Sequence, residues 1–244
     1  EVEDLRSKEF EEQLKDFDVD LFVVVAFRIL PKNILEIPKI GSINLHASLL
    51  PKYRGAAPIH WAIINGEEET GCSIFFLDEK VDTGNIVLQH KVSIKDNETT
   101  GELYSKLMST GSTQLLKAID IIDSGNYKLE SQDDSKATPA PKLFNENTYI
   151  NFNLPAKEVH NFIRGLNPFP VAWTTLNDEK VKIFRSQMGP LKNIDAGELV
   201  ALDGKLLVGC REGTIEVLEL QMPGKKRMSA IDFINSNKVE GAFG

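Results

Sequence analysis

Residues 21–27 constrain the fold of this chain more than any other segment. The run Leu-Phe-Val-Val-Val-Ala-Phe is short, β-branched in its centre and apolar on both faces, which is typical of a strand buried in a parallel sheet. Three further strands are predicted at residues 43–46, 72–77 and 86–94, with helical stretches around them. Strands that alternate with helices predict an α/β domain whose sheet is predominantly parallel and covered on both sides.

The helices of this first part are predicted from apolar residues at helical spacing and from their end signals. They are expected at residues 5–17, 29–37, 57–64 and 99–124. The last of them opens with a capping box, because Thr99 and Glu102 stand three residues apart.

The composition changes at residues 131–141, where Ser, Asp, Thr and Pro leave little that could be buried. We therefore predict a first domain at residues 1–138, a linker at 139–160 and a second domain at 161–244. A helix is expected near residues 156–165. Five short strands separated by Gly- or Asp-containing turns follow at residues 171–176, 181–184, 199–202, 206–210 and 215–220. They predict a small Greek-key β-barrel.

The composition of the 244 residues, 41% apolar and 26% charged, is that of a soluble globular protein. No segment has the apolar core of a signal peptide or approaches the roughly 18 apolar residues of a membrane span. We therefore expect a cytoplasmic protein with no membrane partner. Cys72 and Cys210 lie far apart and lack metal-type spacing, so neither is assigned any chemistry.

Charge is distributed unevenly along the chain. Residues 1–140 carry 15 basic against 24 acidic side chains, a net −9, whereas residues 141–244 carry 13 against 12, a net +1. A nucleic-acid partner would therefore depend on local basic patches. Lys225, Lys226 and Arg227 form one candidate patch, for which a solvated turn is the simpler explanation.

Three aromatic residues of the second domain invite a comparison with nucleic-acid-binding surfaces. Phe169, Trp173 and Phe184 fall inside strand-like or linker segments. We expect them in the barrel core rather than in a base-stacking platform.

Asn44 and His46 are the polar side chains that end the predicted second strand. They stand two positions apart and therefore point in the same direction. Pro51 lacks an N–H group, so the chain must leave the sheet soon after His46. Both side chains are thus expected at the carboxyl end of a strand, where open α/β sheets bind ligands. Asp82, in a turn-rich loop with Gly84, would lie at the same edge.

Two explanations of this trio are about equally supported by spacing alone. A single histidine at a strand end is ordinarily a structural donor, and an aspartate in a glycine-containing loop is ordinarily a turn residue. Convergence at one edge instead favours acyl transfer to an amine, because the carboxylate stabilises a protonated imidazole and the amide offers a second donor to an oxyanion. The four histidines lack metal-ligand spacing, so no metal is expected.

The sequence from Asn44 to Ile59, together with Val81-Asp82-Thr83-Gly84, strongly resembles the folate-dependent formyltransferases. Within that group, RGLNPFP at residues 164–170 and QMPGKKRM at residues 221–228 resemble the methionyl-tRNA formyltransferases. The resemblance covers essentially the whole chain. It implies a truncated Rossmann-like domain followed by a small OB-like β-barrel that assists tRNA binding.

The resemblance also implies a reaction and its residues. A formyl group would pass from 10-formyltetrahydrofolate, a cosubstrate, to the amine of initiator methionyl-tRNA for translation initiation, without a metal. The implied catalytic residues are Asn44, His46 and Asp82, and the implied folate-binding residues are Ser48, Leu49, Leu50 and Pro51. A monomer is expected.

Family members carry a further βαβ-containing segment before the position where this chain starts, so an incomplete first domain is expected. Two other functions stay open. One is a formyltransferase that acts on a small-molecule amine such as a nucleotide-sugar, for which a basic second domain is less needed. The other is a non-catalytic folate- or RNA-binding fragment, which would show no turnover.

Overall fold

The computed structural model describes residues 4–25, 28–190, 193–236 and 241–244. The chain forms two compact units. The first draws on residues 1–58, 69–93 and 105–141, and the second on residues 59–68, 94–104 and 142–244. The predicted domain limits at residues 138 and 160 stay a prediction.

The regular elements follow the predicted order along the chain. The helices are α1 Lys8–Lys15, α2 Lys32–Leu35, α3 Pro58–Ile64, α4 Thr100–Asp123, α5 Ala156–Gly165 and α6 Ala230–Ser236. The strands are β1 Leu21–Val24, β2 Gly41–His46, β3 Glu69–Phe76, β4 Ile86–Ser93, β5 Ala172–Leu176, β6 Glu179–Met188, β7 Leu199–Leu202, β8 Lys205–Gly209, β9 Thr214–Gln221 and β10 Met228–Ser229. None of these described helices is long and apolar enough to cross a membrane.

The first unit contains a four-stranded sheet in the order β1-β2-β3-β4. Strands β1 and β2 run parallel, whereas β2/β3 and β3/β4 are antiparallel. The α/β class is therefore confirmed, but the described sheet is mixed rather than predominantly parallel. The nine residues 77–85 between β3 and β4 explain one of the reversals, because a parallel connection needs a crossover of a dozen or more residues.

The strand predicted at residues 21–27 differs from its prediction in burial. Strand β1 pairs only with β2 and is the edge of the described sheet, so Val23 remains 43% exposed although a fully buried strand was predicted. Ala26 and Phe27 of the predicted strand lie outside the described residues. The apolar face that β2 and β3 share with α4 is closed by Ile43, Cys72, Ile74, Ala118 and Ile122, all nearly or fully buried.

The second unit contains a sheet in the order β5-β6-β9-β8-β7, with β10 paired to β9. Strand β9 inserts between β6 and β8, so that β6, β9, β8 and β7 form a Greek key. All five predicted strands are present, and β6 is longer than predicted. Helix α5 has the predicted bounds and packs Val159 and Ile163 into the core of this unit.

His160 on α5 is buried in a polar pair of contacts within the second unit. Its Nε2 lies 3.3 Å from the Asp96 carbonyl oxygen and its Nδ1 lies 3.0 Å from Ser186 Oγ. The carbonyl can only accept, so Nε2–H donates to it and Nδ1 accepts from the serine hydroxyl, which is the pattern of a neutral imidazole. Burial lowers the pKa of His160 to about 4.

We expect this histidine to make the second unit unstable toward acid. Because its folded pKa lies below the unfolded value, its contribution is complete above about pH 6.5 and is lost as the pH falls toward about 4, with a span of about 3 kcal/mol. Denaturant unfolding of the wild type and of His160→Gln at several pH values measures this contribution to the free energy of unfolding. His90→Gln, at an exposed position on β4, is the matched control. An equal pH slope in wild type and His160→Gln would contradict this assignment.

Candidate active site

Asn44 and His46 lie at the carboxyl end of β2, as the sequence predicts. Asn44 is half-buried, and its Nδ2 donates a 2.7 Å hydrogen bond to the Val24 carbonyl oxygen of β1. The Asn44 amide therefore bridges the two parallel strands where both of them end. It keeps a second N–H and its oxygen for other partners.

His46 is 7% exposed and is held from two sides. Its Nε2 lies 2.8 Å from the Tyr53 carbonyl oxygen, which can only accept, so this nitrogen carries a proton. Its Nδ1 lies 3.6 Å from Asp82 Oδ2. Two acceptors would repel each other across this gap, whereas a protonated Nδ1 would be attracted to the carboxylate. The arrangement favours an imidazole that holds or passes a proton at Nδ1.

Asp82 is fixed by the backbone around it. Its φ of 54° lies in the left-handed region, which Asp and Asn tolerate better than most residues. Its Oδ2 accepts a 2.8 Å hydrogen bond from the Gly55 N–H. The carbonyl oxygens of Asp82 and Gly84 both accept from Gln132 Nε2, at 2.9 and 2.8 Å. The direction of the carboxylate is thus set by the hydrogen bond from the Gly55 backbone and by the two hydrogen bonds from the Gln132 side chain to the loop.

Gly84 is required beside Asp82 by close packing. A Cβ built on it would lie 1.7 Å from the carbonyl oxygen of Phe76 at the end of β3. Only glycine allows the loop to approach the strand this closely. The Val81–Gly84 segment is therefore pinned to the sheet that carries Asn44 and His46.

The loop that follows His46 is anchored mainly through its backbone. The Leu50 N–H donates to Ser73 Oγ at 3.0 Å, and Gln89 Nε2 donates to the Leu50 carbonyl oxygen at 2.9 Å. Ser48 is fully buried, and its hydroxyl donates to the Lys52 carbonyl oxygen. The Leu50 side chain is 4% exposed and packs in the core with Phe75. Leu49 and Pro51 remain half-exposed.

A cavity of about 300 Å³ opens next to the trio. Its wall includes Asn44 and Asp82, and its remaining lining is partly apolar and partly charged, from Val24, Arg28, Ile29, Leu30, Leu35, Gly55, Ala56, Leu77, Asp78, Lys80 and Val81. A mostly apolar cleft with a few convergent polar groups is typical of a small-molecule site. The structure thus places Asn44 and Asp82 in the wall of one cavity, with His46 in contact with Asp82, while Ser48 and Leu50 turn their side chains into the protein.

Three contributors to the site were not predicted from the sequence. The Tyr53 carbonyl and the Gly55 N–H act through backbone atoms, which carry no residue signal. Gln132 lies in the polar stretch that predicted only the end of the first domain and the start of a linker. Arg54 donates to its Oε1 from two nitrogens, at 2.7 and 3.1 Å. Gly55 alone had a usable signal, since a glycine in a loop often marks a close backbone approach.

The cysteines and potential metal ligands offer no competing site chemistry in the described residues. Burial raises the pKa of the Cys210 thiol to about 11 and also raises that of Cys72, so both stay protonated near neutral pH. Among the residues that the structure describes, no group of three or more His, Cys, Asp or Glu side chains is arranged to hold a metal ion.

The residues of the basic turn and the aromatic residues of the second unit differ in their contacts and in their exposure. Lys225, Lys226 and Arg227 are all exposed, and Arg227 in addition pairs with Glu219 and lies 4.1 Å over the Phe184 ring. Phe184 is buried, as predicted. Phe169 is 75% exposed and Trp173 is half-exposed, so the prediction that both pack in the core is wrong. The tight loop 166–171 turns Phe169 outward, and Trp173 lies on the solvent face of β5.

Two family models match this chain. The formyl transferase model matches residues 1–119, and the model of the formyl transferase C-terminal domain matches residues 142–238. A methionyl-tRNA formyltransferase of Chlorobium chlorochromatii is 45% identical over 245 residues, which is 99% of this chain and 78% of that protein.

Solved structures with the same fold include two proteins of different size. HypX from Aquifex aeolicus superposes with a TM-score of 0.71 at 18% identity, over 95% of this chain and 42% of that chain, and this likeness concerns the fold alone. The sugar 3N-formyltransferase WlaRD, solved in the presence of dTDP and 5-N-formyl-THF, superposes with a TM-score of 0.68 at 26% identity, over 87% of this chain and 77% of that chain.

Proposed function

We propose the following reaction for this chain, which belongs to the formyl transferase family. It transfers a formyl group from 10-formyltetrahydrofolate to the amino group of methionine on initiator methionyl-tRNA, for translation initiation. One observation carries the proposal: Asn44 and Asp82 line one cavity and His46 lies against Asp82, in a chain that is 45% identical to a methionyl-tRNA formyltransferase over 99% of its length.

We assign the proton chemistry to His46 and Asp82. In the reaction a bond forms between the amine nitrogen and the formyl carbon, the bond from that carbon to the folate nitrogen breaks, and a proton passes from the amine to the leaving nitrogen. His46 Nδ1 faces the Asp82 carboxylate, while Nε2 is occupied by the Tyr53 carbonyl. Nδ1 is therefore the atom that holds or moves the proton.

Asn44 supplies the second polar group of the site. One N–H of its amide is used by the Val24 carbonyl oxygen, which fixes the side chain. The other N–H is assigned to the oxygen of the formyl group, where negative charge develops when the amine attacks. A preorganised donor of this kind is typically worth about 2.7–4 kcal/mol of barrier.

The folate cosubstrate is assigned to the cavity and to the loop from Ser48 to Pro51. The apolar part of the lining suits a flat ring system, and Asp78, Asp82 and Lys80 add polar partners. Because the side chains of Ser48 and Leu50 are buried, the loop contributes through its backbone and through Leu49 and Pro51.

A turnover assay separates this function from its rivals. The chain is given 10-formyltetrahydrofolate with either methionyl-tRNA or a dTDP-linked amino sugar. We expect formylation of the charged tRNA and none of the sugar. Formylation of the sugar alone would establish the small-molecule function, for which the likeness to WlaRD is the supporting observation. Absence of turnover with both would leave a binding fragment. The cytoplasmic location and the monomeric state stay predictions.

The exposed lysines of the basic turn are expected to bind tRNA phosphates, whereas Arg227 is not. Replacing Lys225 and Lys226 by alanine should flatten the fall of log K with log salt by about 0.7–0.9 for each contact removed. Arg227→Ala should leave the slope nearly unchanged, because Glu219 already neutralises this charge.

The measurement is a set of tRNA binding titrations at several salt concentrations. The matched control replaces Lys117 and Lys128, two exposed lysines of the first unit. A slope that stays at the wild-type value in the Lys225/Lys226 variant would show that the turn is only solvated.

A further inference from the structure

A row of side chains crosses the solvent face of the second unit's sheet. Tyr149 is paired with Trp173 of β5, Trp173 with Lys182 of β6, and Lys182 with Gln221 of β9. Directly paired residues point to the same face and lie side by side. Gln221 Nε2 in turn donates to the Lys225 carbonyl oxygen at 2.8 Å. We call Tyr149, Trp173, Lys182, Gln221 and Lys225 the cross-strand row.

The row combines exposed aromatic surface with positive charge. Tyr149 is 39% exposed, and its ring meets the Trp173 ring edge-on with 4.8 Å between centroids. Lys182 and Lys225 are exposed, as are Lys180 and Lys226 next to the row. Aromatic rings set among lysines on a sheet face are the combination that binds single-stranded nucleic acid, since bases stack on the rings and phosphates meet the cations.

Trp173 is held in place as a platform. Its Nε1–H donates to the Asn145 carbonyl oxygen at 3.0 Å, which fixes the plane of the indole. The Lys180 ammonium lies 4.1 Å from the ring centroid. An exposed contact of this kind is weaker than the stacking of a base on an aromatic ring, so a nucleotide would displace the lysine. The released ammonium would then be free to meet a phosphate.

We propose that the cross-strand row binds an unpaired segment of the tRNA, with a base stacked on Trp173 and its phosphates held by Lys180 and Lys182. The proposal rests on the proposed function for the identity of the RNA. It differs in kind from phosphate binding by the basic turn, with which the row shares Lys225, because Trp173 recognises unstacked bases. The positive charge of the exposed lysines complements a polyanion, and this favours RNA over an apolar protein as the partner.

Binding of a short oligoadenylate to the full chain tests the row without depending on turnover. We expect the chain to bind the single strand more tightly than an RNA duplex of equal length. Trp173→Ala should weaken binding of the single strand by about 5- to 150-fold, the loss of one stacked base, and should change duplex binding little. Phe17→Ala, an exposed aromatic of the first unit, is the matched control.

Lys182→Ala provides a second test in case Trp173→Ala perturbs folding. It should reduce the salt slope of oligoadenylate binding by about 0.7, the value for one single-strand phosphate contact, while Lys117→Ala leaves the slope unchanged. Equal binding of the single strand by wild type, Trp173→Ala and Lys182→Ala would overturn the proposal. That result would leave the formyl transfer reaction untouched, whereas failure of turnover with intact oligoadenylate binding would overturn only the proposed reaction.

Discussion

His46→Ala is expected to lower kcat for formyl transfer by about 10²- to 10⁴-fold, the usual contribution of a positioned acid–base group. The reason is geometric: Nδ1 of this ring lies 3.6 Å from Oδ2 of Asp82, which lines the cavity, and no other imidazole in the described first unit shares that position with Asp82. Steady-state kinetics with charged tRNA and the formyl donor provide the measurement. Wild-type kcat in the purified variant would refute the assignment.

Folding must be followed in the same variant, because the ring also has a structural contact. Its loss leaves the Tyr53 carbonyl oxygen without the 2.8 Å hydrogen bond from Nε2, which costs about 1–3 kcal/mol if no water replaces it. Thermal unfolding therefore accompanies the kinetics. His90→Ala, at an exposed position on β4, should keep both the activity and the melting temperature.

Several local structural elements of this chain were predicted correctly from its sequence. The capping box at Thr99 and Glu102 forms as predicted, with the Thr99 N–H donating to Glu102 Oε2 at 2.8 Å. Helix α5 and strand β7 have the predicted bounds. These elements depend on contacts within a few residues or on strict periodicity, which a sequence displays directly.

What the sequence could not supply is the pairing of distant segments. The direction of β3 against β2 depends on how the chain returns after α3, and no local pattern encodes it. Gln132 reaches Asp82 and Gly84 from a stretch 50 residues away that has no apolar pattern. Trp173 stands in an alternating strand and is apolar like a core residue, but its neighbours on β6 are lysines, and this is known only once the register of β5 and β6 is known.

The same limit applies to the proposed catalytic trio of Asn44, His46 and Asp82. Asn44 and His46 follow from strand alternation, because two positions in one strand necessarily share a face. Their distance from Asp82 does not follow, since it depends on Gly84 letting its loop approach the sheet and on the Gly55 N–H that holds the Asp82 carboxylate. Spacing therefore left two explanations open, and the 3.6 Å between His46 Nδ1 and Asp82 Oδ2 favours the catalytic one.

Asp82→Asn is expected to lower kcat by at least about 10²-fold while the protein keeps its stability. Asparagine tolerates the left-handed backbone at this position, where φ is 54°, and its side-chain oxygen can still accept from the Gly55 N–H. The same oxygen position, Oδ2, lies 3.6 Å from His46 Nδ1, so the amide keeps this geometry but carries no negative charge. A protonated Nδ1 then loses the charge that attracts it, the neutral ring with its proton on Nε2, toward the Tyr53 carbonyl, is favoured, and Nδ1 no longer holds the proton of the reaction.

Asp82→Ala separates the electrostatic effect of the carboxylate from its structural role as acceptor of the Gly55 N–H. Alanine removes the acceptor of the Gly55 N–H as well as the charge, so we expect the same loss of kcat together with a lower melting temperature, equivalent to about 1–3 kcal/mol. Nitrogen NMR of the His46 ring in Asp82→Asn reports directly which of its nitrogens carries the proton. If Asp82→Asn kept wild-type kcat with its ring proton on Nε2 alone, the carboxylate would be a turn residue that holds Gly55, and the proton of the reaction would have to travel through the solvent in the cavity beside Asn44.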